Sequence, residues 1–128
     1  MAQNLGAVAL IVRDYDEAIA FYVGKLGFDL IEDTPMGDKR WVLVGPKGGQ
    51  TRLLLAQAAA PDQVAAIGAQ FAGRVGLFLN TDNFARDHAA YIAAGVKFLE
   101  TPRYEPYGTV AVFEDLYGNK WDLIEPKT

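Results

Sequence analysis

Few side chains of this 128-residue chain could take part in chemistry, and Asp122 is the most prominent of them. The chain has no cysteine and one histidine, His88, which excludes disulfides, thiolate metal sites, cysteine nucleophiles and pairs of histidine ligands. Asp122 lies in the strand-like run NKWDLIE, directly after a turn rich in Asp, Gly and Asn. A carboxylate in such a strand can bind a metal ion, contact a small molecule, or lie on the solvent-exposed face of a sheet.

Three further features that suggest chemistry each have a structural alternative. His88 could act as a general base because histidine titrates near neutral pH, but it lies in a predicted helix, where surface exposure or packing against a sheet is expected. GPKGGQ is rich in glycine but lacks the spacing and the following helix of a phosphate-binding loop, so we expect a hairpin turn. TPRYEPYG either borders a site or simply connects two strands. That loop carries Arg103, Glu105 and Tyr107.

The composition bears on partners and on location. The formal net charge is −4 and there is no basic patch, so we expect no nucleic-acid partner, because Lys and Arg contacts to phosphate supply most of that affinity. No stretch approaches the ~20 apolar residues of a membrane span, and residues 1–12 lack the pattern of a signal peptide. These features, with the absence of cysteine, predict a cytoplasmic protein with no membrane partner.

Hydrophobic periodicity and turn residues predict an α+β fold. Asp14 and Glu17 resemble a capping box at the start of a helix that ends at Gly27. The first part of the chain has a predicted turn at 33–39 and predicted strands at 5–12, 28–32, 41–44 and 52–56. The second part has a predicted helix at 82–95, a loop at 101–108, and strands at 73–80, 96–100, 109–114 and 119–125.

An offset of 68 residues relates the two parts, which indicates an internal repeat. The matched residues are Asp14 with Asp82 (82 − 14 = 68), Gly27 with Gly95 (95 − 27 = 68) and Leu55 with Leu123 (123 − 55 = 68). Each part reads as one βαβββ module. We expect a single domain, because one such unit is too small to enclose a core alone. Its parts are module one at about 1–57, a linker with about one helical turn at about 58–72, and module two at about 73–128.

Two such modules side by side would curve their sheets into a shared cup, with the helices outside and a ligand site on the concave side. Strand alternation places four polar or aromatic side chains in this cup: Arg74, Phe78, Asn80 and Asp122. Three aromatic side chains could reach its rim: Trp41, Tyr107 and Phe113. Arg74 and Asp122 either form a buried ion pair or remain half-exposed strand residues. Small apolar walls with a few polar groups are typical of a site for an organic ligand.

Two motifs resemble a known family. VALIVRDYDEAIAFYVGKLGF in the first module and YEPYGTVAVFEDLYGNKWDLIEP in the second are similar to the paired modules of the vicinal oxygen chelate superfamily. This superfamily includes glyoxalase I, extradiol dioxygenases, fosfomycin-resistance enzymes and bleomycin-resistance proteins. The resemblance covers nearly the whole chain and implies the fold. It does not specify the reaction, because this scaffold hosts many chemistries.

The resemblance also implies where metal ligands would lie. Metal-dependent members hold a divalent ion with one His or Gln on each module's first strand and one Glu on each module's last strand. In this sequence those positions fall on Ala7, Leu54, Arg74 (or Val75 if the register slips by one) and Asp122. Only Asp122 could bind a cation, whereas a catalytic metal site needs about three protein ligands. We therefore expect no metal and no cofactor.

Three functions remain open at this point. A metal-free module that binds a small organic molecule, similar to the drug-sequestering bleomycin-resistance proteins, is favoured because Ala7 and Leu54 have no donor atoms. A metal-dependent lyase, isomerase or dioxygenase is the alternative, supported by Asp122 and the general resemblance. A metal-free enzyme could use Arg74 to stabilise an oxyanion, with Asp122 or Glu114 as the base.

The resemblance and the strand pattern together predict a homodimer. Members of this superfamily commonly dimerise. The apolar strands at 41–44 and 110–113 would otherwise be exposed edges, which proteins usually cover.

Overall fold

The computed structural model describes residues 2–128, which form two compact units. One unit ends at Gln70 and the other begins at Phe71. The first unit has strands β1 (Ala7–Val12), β2 (Asp29–Met36), β3 (Lys39–Gly45) and β4 (Arg52–Gln57), and helices α1 (Tyr15–Ile19, continued by a π-helical turn over Ala20–Lys25) and α2 (Pro61–Ala66). The second unit has helix α3 (Phe84–Ala93) and strands β5 (Val75–Asn80), β6 (Lys97–Phe98), β7 (Arg103–Glu105), β8 (Gly108–Glu114) and β9 (Lys120–Pro126).

Each unit contains one mixed sheet in which the first strand pairs in parallel with the last. The strand order is β1-β4-β3-β2 in the first sheet and β5-β9-β8-β6 in the second, where β7 also pairs with β8. Ala7 pairs with Arg52, and Val75 pairs with Lys120. The offset is again 68 for both partners (75 − 7 and 120 − 52). The predicted α+β fold of two tandem βαβββ modules is confirmed.

The two repeated helices differ in length by one residue, and the π-helical turn after α1 accommodates the extra residue. Asp14 caps α1 by accepting a hydrogen bond from the Glu17 N–H at 2.9 Å. The cap of α3 is Asn83, which accepts from the Arg86 N–H at 3.0 Å. From cap to terminal glycine α1 spans 13 residues (27 − 14) and α3 spans 12 (95 − 83). The match of Asp14 with Asp82 as equivalent helix starts was therefore wrong, because the extra residue in α1 widens into a π turn.

Three expectations about loops and edges were also wrong. β2 and β3 extend through the predicted turn at 33–39, and Pro35 is tolerated there because β2 is an edge strand. The predicted loop at 101–108 contains β7. The runs at 41–44 and 110–113 are not edges, because β3 lies between β4 and β2, and β8 lies between β9 and the pair β6 and β7.

The segment between the modules closes the free edge of β1. The linker predicted at about 58–72 contains α2. Beyond α2, the Gln70 side chain donates to the Ala9 carbonyl at 2.8 Å and accepts from the Ile11 N–H at 2.9 Å. The Gln70 side-chain amide therefore makes the hydrogen bonds that a neighbouring strand would make to these two main-chain groups of the edge strand β1. None of the helices formed by residues 2–128 combines the length and the apolar character needed to cross a membrane.

Replacing Gly76 with alanine should destabilise the protein. A Cβ atom at this position would overlap the ring of Phe71, which packs against the start of β5. We expect Gly76→Ala to lower the free energy of unfolding by about 1–3 kcal/mol, as overpacking does. The control is Gly24→Ala in the helical segment, where the added methyl group meets open space and should be neutral or stabilising. Urea denaturation of both variants measures the difference, and equal midpoints would contradict this packing role for Phe71.

Candidate functional site

The open face of the second sheet brings together three of the predicted site residues. Phe78 of β5 pairs with Asp122 of β9, and Asn80 pairs with Ile124 two residues further along. Residues paired across strands, and residues two apart on one strand, share a face of the sheet. Phe78, Asn80 and Asp122 therefore lie on one face, and 63 % of Phe78 is exposed.

The opposite face of the same strands forms the core. Leu79, Trp121 and Leu123 are buried there, and Trp121 stacks with Phe113 at 5.8 Å between ring centroids. The expectation that Phe113 reaches a rim was wrong: its exposure is 0 %, because it packs inside this core. His88 lies between the rings of Phe84 and Phe98, at 5.2 and 4.5 Å between centroids, which is the packed alternative predicted for it.

Asp122 is a half-buried carboxylate with an unusual environment. Its Oδ1 atom is buried and has no hydrogen-bond partner among residues 2–128. Burial raises the pKa of Asp122 above its ordinary value; Arg103 opposes this rise and Glu100 adds to it. A buried oxygen without a partner costs free energy, so the structure keeps an unfavourable carboxylate on an open face.

Arg103 is the cation that acts on Asp122, and an acidic residue holds it in place. The Arg103 Nε atom lies 3.1 Å from each carboxylate oxygen of Glu100. Glu100 Oε2 also accepts a hydrogen bond from the Val112 N–H at 3.0 Å, which fixes the carboxylate against β8. Hydrogen bonds with Glu100 and then with Tyr107 raise the pKa of Arg103. Residue types alone indicated Arg103, Glu105 and Tyr107, but gave no signal for Glu100.

The ion pair considered between Arg74 and Asp122 is not formed. Arg74 precedes β5, whose first residue, Val75, pairs with Lys120 rather than with Asp122. Arg74 lies one residue before Val75 and Asp122 lies two residues beyond Lys120, so the two main-chain positions are offset by three residues, roughly 10 Å along the sheet at about 3.3 Å per residue. The charge that acts on Asp122 comes instead from Arg103.

The positions at which the resemblance implies metal ligands do not fit a metal ion. Val75, not Arg74, matches Ala7, because each begins its strand and pairs with the first residue of the last strand. Leu54 matches Asp122, since 122 − 54 is also 68. Ala7, Leu54 and Val75 have no donor atom, and nowhere in residues 2–128 are three His, Asp or Glu side chains grouped as a metal site requires.

Trp41 borders a cavity of about 320 Å³ in the first unit. The ladder between β3 and β4 stops at the pair Val42 and Leu55, and the cavity opens where the strands separate. Beyond that pair the Arg40 N–H donates to the Tyr15 hydroxyl at 3.4 Å instead of to a strand partner. Leu54, Ala56 and the half-exposed Trp41 give this cavity an apolar wall.

Asn80, at the end of β5, and Tyr107, which directly precedes β8, lie near the ends of the strands of the second sheet. Asn80 lines an open cavity of about 690 Å³ together with Thr109 and Glu125. Glu125 accepts a hydrogen bond from the Phe84 N–H at 2.7 Å and so caps the start of α3. Tyr107 is half exposed, and its side chain forms a hydrogen bond with Arg103.

Comparison with known proteins gives consistent matches. The family model of the Glyoxalase/Bleomycin resistance protein/Dioxygenase superfamily matches residues 4–123. An uncharacterised protein of Shewanella frigidimarina is 57 % identical over 128 residues, covering 98 % of this chain and 95 % of the relative. The crystal structure of UcmS2 matches with a TM-score of 0.85 and 32 % identity, covering 98 % of this chain and 99 % of that one. TnmS3, an antibiotic binding protein from Streptomyces sp. CB03234, matches with a TM-score of 0.80 and 32 % identity, covering 98 % of each chain.

Replacing Asp122 with asparagine should stabilise the protein at neutral pH. Because the native pKa is raised, the folded state holds the proton more tightly than the unfolded chain, whose ordinary value is 3.8. The stability that this tighter proton binding gives the folded state is present at low pH and is lost as the pH rises through the raised native pKa. We expect Asp122→Asn to unfold at a higher temperature than the unmodified protein at pH 7, with the difference vanishing below about pH 3.8.

Thermal unfolding followed by circular dichroism from pH 3 to pH 8 measures this difference. Asp38→Asn changes an exposed carboxylate in the turn between β2 and β3, and serves as the control. A gap between Asp122→Asn and the unmodified protein that stays constant across this pH range would contradict the assigned cause.

Proposed function

The chain belongs to the Glyoxalase/Bleomycin resistance protein/Dioxygenase superfamily, and from that premise we propose that it binds a small organic molecule without a divalent metal ion. One observation carries this proposal. Of the four positions at which a metal ion would be held, three have aliphatic side chains: Ala7, Leu54 and Val75. The fourth, Asp122, is coupled to an arginine of the same unit.

The proposed binding surface is the open face of the second sheet. Phe78 offers an exposed ring, against which a planar or apolar group can stack. Asp122 and Asn80 on the same face offer the few oriented polar groups that fix an organic ligand. The other proposed contacts on this sheet are Arg74 at its start and Tyr107 beside Arg103. In the first unit we propose a separate ligand contact at Trp41, on the wall of that unit's own cavity.

The similarity to TnmS3 supports binding rather than turnover and suggests the first compounds to test. TnmS3 is an antibiotic binding protein. We propose that this chain likewise sequesters an antibiotic-like organic molecule. A metal-dependent lyase, isomerase or dioxygenase is the alternative outcome, and metal analysis during the same experiment distinguishes it.

A ligand screen with matched variants tests the proposed function. Thermal-shift screening of antibiotics and small metabolites, in EDTA and then with Ni²⁺, Zn²⁺ or Mn²⁺, should yield ligands whose stabilising effect is the same in EDTA. Titration calorimetry should then show that Phe78→Ala weakens binding about tenfold, as loss of a stacked ring at the centre of a site does. Tyr104→Ala removes an 82 % exposed ring from the other face of the same sheet and should leave the affinity unchanged.

Two results would contradict this function. One is purified protein that retains near-stoichiometric metal and binds its ligand only when metal is present. The other is a ligand whose affinity is insensitive to Phe78→Ala but falls in Tyr104→Ala.

We also propose that the protein is a homodimer, with a different surface from the one predicted. β2 is an edge strand whose eight residues are all exposed. Leu30, Ile31, Met36 and Trp41 place exposed apolar side chains on β2 and the neighbouring β3. An apolar patch beside an unpaired edge strand is suited to binding a second copy of the chain.

The mass in solution tests the dimer. Light scattering should give twice the mass of one chain for the unmodified protein. Met36→Lys, which places a charge within the patch, should shift the equilibrium towards the monomer. Tyr104→Lys adds the same charge at an exposed position of the second unit and should remain dimeric. Identical masses for both variants, or a monomeric unmodified protein, would contradict the proposed surface.

A further inference from the structure

We propose that the gap between β3 and β4 in the first unit binds a small N-acylated amino acid, a ligand with a flat apolar group, one amide and one carboxylate. This inference rests on the ligand contact proposed at Trp41 and goes beyond it, because it defines a complete site and the class of ligand. It does not depend on the open face of the second sheet.

The gap exists because two neighbouring strands stop pairing before either of them ends. Val42 with Leu55 is the last pair, although β3 begins three residues before Val42 and β4 continues two residues beyond Leu55. The unpaired start of β3 is still paired with β2, and the unpaired end of β4 is still paired with β1. Both sides of the gap are therefore held by the sheet, and they line the cavity of about 320 Å³. This volume is within the range of small-molecule sites.

Gln57 presents main-chain hydrogen-bonding groups to this gap. The Ala58 N–H donates to the Val12 carbonyl at 2.9 Å, so the main-chain groups of Ala58 point to β1. Successive residues of a strand direct these groups to opposite sides, and the N–H and C=O of Gln57 therefore point towards β3. Arg40, which would lie opposite Gln57 in the register of the ladder, donates its N–H to the Tyr15 hydroxyl at 3.4 Å instead. Gln57 can thus bind the amide of a ligand as it would bind a strand.

An apolar wall lies beside this main-chain edge. Leu54 pairs with Leu43, which is two residues from Trp41, so Leu54 and Trp41 share one face of the sheet. Both line the cavity, together with Ala56, and 40 % of Trp41 is exposed. An exposed indole beside small aliphatic side chains suits a flat apolar group.

Lys39 supplies the positive charge of the site. It is two residues from Trp41 on β3, lies on the same face, and lines the cavity. It forms no ion pair with any residue from 2 to 128. The other cation of the wall, Arg40, lies on the opposite face and is held by Asp16 at 2.9 Å and Asp33 at 2.7 Å. The charge of Lys39 is therefore available to a carboxylate of the ligand.

N-benzoylglycine carries all three groups and is the probe for this site. Titration calorimetry should show one molecule bound per chain. Affinity should fall at least about tenfold for N-benzoylglycinamide, which lacks the carboxylate, and for N-acetylglycine, which lacks the ring. In NMR spectra the Trp41 indole N–H and the Gln57 amide signals should shift on titration. The indole signal of Trp121, which lies in the core of the second unit, should not shift.

Matched variants separate the charge from the volume of the site. Lys39→Ala should weaken binding at least about tenfold and remove the preference for the carboxylate over the amide. Lys47→Ala removes an exposed lysine 3.6 Å from Asp29 and should leave the affinity unchanged. Leu54→Phe fills the cavity and should abolish binding. Trp41 is left in place in these variants because it also belongs to the patch proposed for the dimer. If Leu54→Phe does not fold, Lys39→Ala at its exposed position carries the test.

Three results would overturn the inference. They are no binding of N-benzoylglycine, an affinity that is the same in Lys39→Ala as in the unmodified protein, and binding that is lost in Phe78→Ala. The antibiotic screen uses other compounds and the other unit, so this site and the proposed function can fail separately.

Discussion

The parallel pairing of the first and last strands in each unit is the constraint on which the site depends. Ala7 opposite Arg52 and Val75 opposite Lys120 set the register of the two sheets. A slip of one residue would turn Asp122 into the core and Trp121 outwards, because successive side chains alternate between faces. The buried alternate residues, such as Leu55 and Leu123, hold this register by their packing.

The features that depend on local pattern were predictable from sequence. Alternating apolar residues and terminal glycines gave both modules and the offset between them. The offset of 68 residues was also applied to the helix starts and matched Asp14 with Asp82. Residue types alone cannot reveal the one residue inserted in α1, so the cap of α3 at Asn83 was missed. β7 was missed because TPRYEPYG has two prolines, although Arg103 to Glu105 pair with β8 in a short antiparallel ladder.

The strand positions of the site were predictable, but the partners of its charges were not. Alternation placed Phe78, Asn80 and Asp122 on one face. It misplaced Phe113, because Val110, Ala111 and Phe113 are all buried and β8 therefore gives no clean alternation. An arginine side chain is long, so where its guanidinium lies is decided by contacts that are distant in sequence. The carboxylate of Glu100, held by the Val112 N–H, binds Arg103, and Arg103 rather than Arg74 opposes the rise in the pKa of Asp122.

Leu54 and Asp122 occupy the same place in the two repeats, and the difference between them is informative. Leu54 shows that an apolar side chain fits this position of the fold without a partner or a counter-ion. Asp122 has a buried oxygen without a hydrogen bond, and burial raises its pKa, so it weakens the fold at neutral pH. Residues that break a stability rule are expected where function requires them. The cost at Asp122 therefore supports the proposal that ligand recognition lies on the second unit, because Leu54 at the equivalent position of the first unit has no such cost.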